Sequence, residues 1–99
     1  MDKINLTRYQ LRELHSIWYS IRYRCGSDHP NYGGRGISMS PAWLYDFWAF
    51  ARYLGPRPSR IHSVDRINVN GNYEPGNVRW ATLKEQAVNK RNSRRKPVA

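Results

Sequence analysis

The sequence predicts an α+β fold in which two N-terminal helices pack on a C-terminal strand–loop–strand–helix unit, abbreviated ββα. Two observations predict it. Residues 7–55 carry apolar side chains at helical spacing, and residues 61–92 contain two short β-branched runs separated by a turn-forming loop. The chain has 99 residues, enough for one small domain but not for a second hydrophobic core. We therefore expect a single domain over residues 1–99, with residues 93–99 as a disordered basic tail.

The first predicted helix begins at Thr7, which can cap its N-terminus, and runs to about Cys25. Its apolar stripe consists of Leu11, Leu14, Trp18, Ile21 and Cys25, spaced by three and four. The other face carries Arg8, Arg12, His15, Tyr19 and Arg22. That face is either an ordinary solvated surface or a surface that contacts phosphates. Because Cys25 is the only cysteine, an internal disulfide and a cysteine-based zinc finger are excluded.

The second predicted helix begins at Ser40, which is followed by Pro41 at the first helical position, and it ends at Gly55. Its apolar stripe consists of Trp43, Phe47, Phe50 and Leu54, which indicates a core helix. Before it, the glycine-rich segment 26–36 does not have the spacing of a phosphate-binding P-loop, and residues 37–39 are a candidate short strand.

The ββα unit follows a stiff Gly-Pro-Arg-Pro-Ser connector. Its first predicted strand is Ser63–Ile67, its second is Val78–Trp80, and the turn formers between them require the chain to reverse. Thr82 then fits as the N-cap of a third helix, and Glu85 three residues later completes a capping box. Strand alternation favours Trp80 in the core and Arg79 toward solvent or DNA.

The charge of the chain predicts an anionic partner. The formal net charge is +10 and only seven carboxylates are present, which favours nucleic acid over an anionic membrane. The candidate DNA-contacting residues are Arg35, Arg79, Lys84, Lys90, Arg91, Arg94, Arg95 and Lys96. No apolar run approaches the roughly 20 residues that cross a bilayer, and the N-terminus has no signal-peptide pattern. We therefore expect a cytoplasmic protein with no membrane partner and no small-molecule cofactor.

The ββα unit has enough candidate carboxylate ligands for a hydrolytic site with one metal ion. A two-metal site requires several converging carboxylates, whereas the carboxylates of this chain are scattered and Glu85 is used in the capping box. Asp65 is the only acidic residue of the first strand, so one divalent cation, Mg²⁺ or Mn²⁺, with Asp65 as its charged ligand is the candidate. The alternative is that Asp65 caps the turn or pairs with Arg66 or Arg79.

An ordered set of residues runs through about residues 15–92. It comprises Trp18, Arg24, Cys25, Tyr32, Gly33, Gly34, Arg35, Gly36, Ile37, Trp43, Phe47, Phe50, Gly55, Pro58, Asp65, Arg66, Ile67, Gly71, Asn72, Tyr73, Asn77, Arg79, Trp80, Ala81, Thr82, Gln86 and Asn89. This set resembles the small HNH-type, or ββα-metal, endonucleases that are common in phages and bacterial mobile elements.

The resemblance implies a site. The usual motif has an Asp-His pair on the first strand, an Asn in the loop and an Asn or His on the helix. Here Asp65-Arg66 stands at the Asp-His position, Asn77 at the loop Asn and Gln86 at the helix ligand. By resemblance to members that carry Arg in place of the His, Asp65 and Gln86 bind the metal, Arg66 holds the scissile phosphate and Tyr73 activates the nucleophile.

The identity of the general base stays open among Tyr73, His29 and His62, because Arg66 stays protonated and cannot accept a proton. On a strand, His62 faces away from a residue three positions later such as Asp65. Tyr73 can instead pack against Trp80, and Asn77 can tie the turn by bonding backbone groups.

The sequence thus predicts an HNH-type DNA endonuclease or nickase. One alternative is a catalytically degenerate HNH-fold module that binds DNA without cleaving it. A second is a small basic RNA-binding protein.

Overall fold

The protein is described by a computed structural model covering residues 5–27, 30 and 32–94, with side chains up to residue 89. Its helices are α1 (Arg8–Gly26), α2 (Pro41–Leu44), α3 (Phe47–Leu54) and α4 (Leu83–Arg94), with a 3₁₀ turn at Gly33–Arg35. The strands β1 (His62–Arg66) and β2 (Val78–Thr82) form a two-stranded antiparallel sheet. The predicted α+β class is therefore confirmed. The predicted tail falls largely outside the described residues.

Helix α1 begins where the sequence predicts. Thr7 Oγ1 accepts from the Gln10 amide at 3.1 Å, and Gln10 Oε1 accepts from the Thr7 amide at 2.9 Å. This reciprocal pair satisfies amides of the first turn that have no partner within the helix. Leu14 and Ile21 of the predicted stripe are fully buried, so α1 packs on the core along that face.

The prediction of one continuous helix from Ser40 to Leu54 is wrong, because the segment is divided into α2 and α3. Asp46 is in an extended conformation between them, and its Oδ1 accepts from the Ala49 amide at 3.2 Å. A side-chain acceptor of this kind stabilises a new helix start. Gly55 ends α3 as predicted, in the left-handed region at φ 68°, and donates its amide to Ala51 O at 2.9 Å.

The hairpin of β1 and β2 pairs Val64 with Trp80 and Asp65 with Arg79. The predicted short strand at residues 37–39 is reduced to one parallel bridge between Met39 and Tyr73. This bridge nevertheless fixes the loop that carries Tyr73, since the Tyr73 amide donates to Ser38 O at 2.9 Å and the Ser40 amide donates to Tyr73 O at 2.7 Å.

The two faces of the hairpin contact different parts of the chain. Val78 and Trp80 face the N-terminal helices, and Trp80 Nε1 donates to Leu54 O at 3.0 Å. The indole therefore packs on the core as expected. Side chains alternate along a strand, so the opposite face carries Ala81, which is fully buried, and Asp65, which Asn89 of α4 contacts.

Helix α4 starts with the predicted capping box. The Thr82 amide donates to Glu85 Oε1 at 2.8 Å, and the Glu85 amide donates to Thr82 Oγ1 at 3.2 Å. These bonds to Thr82 lower the pKa of the Glu85 carboxyl, with smaller contributions from Arg79 and His62. Across the part of the chain that the structure describes, no helix is both long and apolar enough to pass through a bilayer.

Candidate functional site

Three side chains from three elements converge where β1 meets α4. Asp65 Oδ2 accepts from Arg79 Nε and from Asn89 Nδ2, each at 3.3 Å, and the Asp65 side chain is 12% exposed. Asn89 Nδ2 also donates to Arg66 O at 2.8 Å, which holds the amide in place. The side chain of Arg79 is 38% exposed, so this convergence lies at the surface rather than in the core.

Asn89, and not the predicted Gln86, is the helix residue that reaches Asp65. Gln86, which lies one turn before Asn89 on α4, donates its Nε2 to Ala81 O of β2 at 3.0 Å. Residues three apart lie on one helix face, so the spacing of Gln86 and Asn89 is a signal that could have nominated Asn89 as well. The structure therefore does not join Gln86 to Asp65, and it adds a site residue that the sequence prediction missed.

The Asp65 carboxylate supplies oxygen ligands for a cation that is held only in part by protein, whereas Arg79 Nε and Asn89 Nδ2 are N–H donors and do not coordinate a cation. Among the described residues there is no cluster of three or more His, Cys, Asp or Glu side chains that could enclose a metal ion. Mg²⁺ commonly keeps several waters and binds one or two carboxylates together with phosphate oxygens. Asp65 fits such a shared site, in which water and phosphate oxygens complete the ligands, and does not fit a closed protein cage. Its ion pair with Arg79 would have to open first.

Arg66 lies on the face of β1 opposite Asp65, because successive strand residues alternate. Its Nη1 donates to Gly71 O at 2.8 Å. Its guanidinium lies 5.1 Å from the ring centre of Tyr73 and 5.5 Å from that of Tyr32. These contacts place Arg66 in an aromatic stack, and the structure does not bring it to the carboxylate of Asp65.

Tyr73 belongs to the same stack. It is 5% exposed, and its ring stacks on Tyr32 with the ring centres 6.3 Å apart. Burial, with a smaller contribution from Tyr32, raises the pKa of the Tyr73 phenol to about 12. A phenol in this state keeps its proton at neutral pH. Its position favours a packing role, with Tyr32 rather than Trp80 as the ring partner.

Asn77 ties the loop between the strands, which is the alternative that the sequence left open. Its Nδ2 donates to Asn72 O at 2.8 Å and to Asn68 O at 3.1 Å, and its Oδ1 accepts from the Asn68 amide at 2.8 Å. A Cβ added at Gly71 would lie 2.9 Å from this amide nitrogen, so a larger residue there would displace the Asn77 side chain from its hydrogen bonds.

The remaining predicted residues lie around this centre. His62 Nδ1 lies 2.8 Å from Ser59 Oγ, away from Asp65, and His29 lies outside the described residues. Arg35 donates to Asn70 Oδ1 at 2.8 Å. Lys84 is exposed and lines an open depression of about 390 Å³ together with Arg79 and Asn89. The side chains of Lys90, Arg91, Arg94, Arg95 and Lys96 lie outside the described part.

Comparisons with known proteins returned no match to a family model, to a curated protein or to a solved structure. The HNH resemblance therefore stays a prediction that rests on the residues themselves.

Proposed function

We propose that this chain is an HNH-type endonuclease or nickase that binds duplex DNA and hydrolyses a phosphodiester bond with one Mg²⁺ or Mn²⁺ ion held at Asp65. The observation that carries the proposal is the convergence of Asp65, Arg79 and Asn89 from β1, β2 and α4 beside an open depression that Lys84 and Glu85 also line. The net charge of +10 supports an anionic polymer as the partner.

Each of the three side chains has a distinct role in this proposal. Asp65 supplies the charged oxygen ligand, and Asn89 holds the carboxylate and the end of β1 in place through hydrogen bonds to Asp65 Oδ2 and Arg66 O. Arg79 neutralises the carboxylate in the absence of substrate and offers its guanidinium to a phosphate oxygen when DNA is bound. The cation, when present, lowers the pKa of a bound water and stabilises negative charge at the phosphate.

The second candidate is a DNA-binding module of the same fold that does not cleave. Two observations favour it. Arg79 already occupies Asp65 Oδ2, and the residue predicted to activate the nucleophile, Tyr73, is buried with a raised pKa. In this candidate the ion pair is a permanent part of a basic surface, and Lys84 and Arg79 contact the DNA backbone without hydrolysis.

Nicking of supercoiled plasmid DNA in Mg²⁺ or Mn²⁺ separates the candidates. We expect Asp65→Asn to reduce nicking by at least about 100-fold, the upper end of the loss seen when groups behind a metal ligand are removed. DNA binding is expected to persist, because the substitution removes a negative charge. Glu74→Gln is the matched control, since it removes an exposed carboxylate in the neighbouring loop and should leave nicking intact.

Equal nicking by the native chain and Asp65→Asn would overturn the endonuclease proposal. Salt-sensitive DNA binding by a native chain that nicks under no metal condition would support the non-cleaving module.

A further inference from the structure

A continuous groove runs between α1 and the segment 57–64. It consists of two adjoining open depressions of about 400 Å³ each, which share Ser16, Ile17 and Arg57 as lining residues. One end lies at Tyr9 and Arg12, and the other end lies at Arg24, His62 and Trp80. We name this feature the α1–β1 groove. It is separate from the depression at Arg79, Lys84 and Asn89, with which it shares no lining residue.

The lining of the α1–β1 groove is hydroxylic and basic. The hydroxyl groups come from Ser16, Ser20 and Ser63, all of which are exposed. Glu13 is the only acidic lining residue, and its carboxylate is paired with Arg57 at 3.0 Å. Because Arg57 neutralises this carboxylate, Arg12 and Arg24 give the groove a net positive charge.

One wall of the groove is fixed by Arg57, each of whose three guanidinium nitrogens donates a hydrogen bond. Its Nε donates to His62 O at 2.7 Å, and its Nη2 donates to Arg60 O at 2.8 Å. With the pair to Glu13, these bonds join α1 to the chain that enters β1. A wall held this way is preformed, so a ligand would not have to order it.

Arg24 at one end of the groove has an unmet hydrogen-bonding requirement. Its guanidinium lies 4.8 Å from the ring centre of Tyr32, and its Nε is buried without a partner in the described part of the chain. Buried polar groups are almost always paired, and an unpaired one calls for a ligand, ion or water. A phosphate oxygen is a strong partner for a guanidinium, and it would reach this Nε once the Arg24 side chain turns from Tyr32 into the groove.

We propose that the α1–β1 groove binds the sugar–phosphate backbone of duplex DNA to one side of the candidate site at Asp65. Strand β1 connects the two places, since Ser63 lines the groove and Asp65 follows two residues later, about 7 Å along the strand. Arginine and serine side chains are common backbone-contacting groups in protein–DNA complexes. The inference rests on the DNA binding in the proposed function and does not depend on hydrolysis.

The test places negative charge in the groove without touching the core. Ser16→Glu/Ser20→Glu introduces carboxylates four residues from Arg12 and Arg24, at spacings that favour helical ion pairs, so α1 is expected to stay folded. We expect duplex DNA affinity to fall about tenfold, with the slope of log affinity against log salt shallower by one to two. Fluorescence anisotropy with a labelled duplex oligonucleotide over a salt series measures both, and circular dichroism checks the fold.

Ala42→Glu/Tyr45→Glu is the matched control, because it makes the same change in net charge at two exposed positions outside the groove. A larger loss of duplex DNA affinity in the groove variant than in this control supports the proposal. Equal affinities for the groove variant and the control would overturn it while leaving the proposed function intact. If the native chain does not bind the duplex at all, the proposed function fails as well.

Discussion

Asp65 and Arg66 are neighbours in the chain, but they lie in opposite surroundings. Asp65 faces α4 and makes two polar contacts of 3.3 Å near the surface. Arg66 faces the aromatic rings of Tyr32 and Tyr73 and donates to a loop carbonyl at 2.8 Å. Because successive side chains of a strand point to opposite faces, two adjacent residues of a motif lie in two different environments. One is an exposed polar centre and the other is part of the packed structure.

Because Arg66 points away from Asp65, the positive charge beside the Asp65 carboxylate comes from β2 and not from β1. Arg79 is the cross-strand partner of Asp65 in the register, and directly opposite residues on a sheet face are close enough to interact. The guanidinium beside the carboxylate is therefore the one from β2, while the guanidinium of Arg66 stabilises the loop that carries Tyr73.

The packed side can be tested through the ionisation of Tyr73. Burial raises its pKa from 10.0 to about 12, so the folded protein keeps the phenol protonated where the unfolded chain ionises. The contribution of the protonated Tyr73 phenol to the free energy of unfolding is complete below about pH 10 and is lost as the pH rises toward about 12. Relative to Tyr73→Phe, we expect the native chain to lose about 2 kcal/mol of unfolding free energy between about pH 9 and pH 11.5. Urea unfolding at each pH measures the loss.

Tyr45→Phe is the control for this pH series, because it removes the hydroxyl group of an exposed tyrosine. It should follow the native curve. If the native chain and Tyr73→Phe have the same pH dependence, Tyr73 is not buried as described, and its assignment to the packed side fails.

A second test replaces Arg66 and Arg79 in turn by methionine, a side chain without charge. Arg66→Met should lower the unfolding free energy by about 1 to 2 kcal/mol, because it loses a hydrogen bond and the contacts with two rings. Its salt dependence of DNA binding should match that of the native chain. Arg79→Met should cost less than about 1 kcal/mol of stability and should reduce the salt slope by about one.

Chemical unfolding and a salt series of DNA binding measure the two effects. The reverse pattern, with the salt slope changed by Arg66→Met and not by Arg79→Met, would mean that Arg66 contacts phosphate as the family resemblance implies.

Local signals in the sequence were sufficient for most of the elements. The capping groups at Thr7 and Thr82 act within three residues, and both were predicted and confirmed. The break at Asp46 was missed, because the same apolar stripe fits one long helix or two short ones. The extended backbone of Asp46 and the bond from the Ala49 amide to its side chain distinguish these alternatives, and spacing does not reveal them.

The candidate site could be predicted less completely, because its geometry depends on contacts between distant segments. Asp65 was identified by its residue type on a strand, which is local information. The surroundings of Tyr73 are set by Tyr32 and by the bridge to Met39, and neither partner is close in sequence. The contact of Asn89 with Asp65 depends on how α4 lies across the hairpin. No spacing rule within one element fixes that angle.

The smallest expected effect concerns the exposed side, where Arg79 and a cation compete for Asp65. Removing the guanidinium should strengthen cation binding only several-fold, because a surface ion pair contributes at most about 1 kcal/mol. We expect Arg79→Gln to bind Mn²⁺ more tightly than the native chain in the absence of DNA, as measured by calorimetry or by loss of the free Mn²⁺ electron paramagnetic resonance signal.

Lys84→Gln is the control, since it removes an exposed charge that forms no ion pair with Asp65. Adding Asp65→Asn to Arg79→Gln should abolish the gain. Unchanged Mn²⁺ affinity in Arg79→Gln would show that the ion pair does not close the site, and the proposed exchange of Arg79 between carboxylate and phosphate would then be wrong.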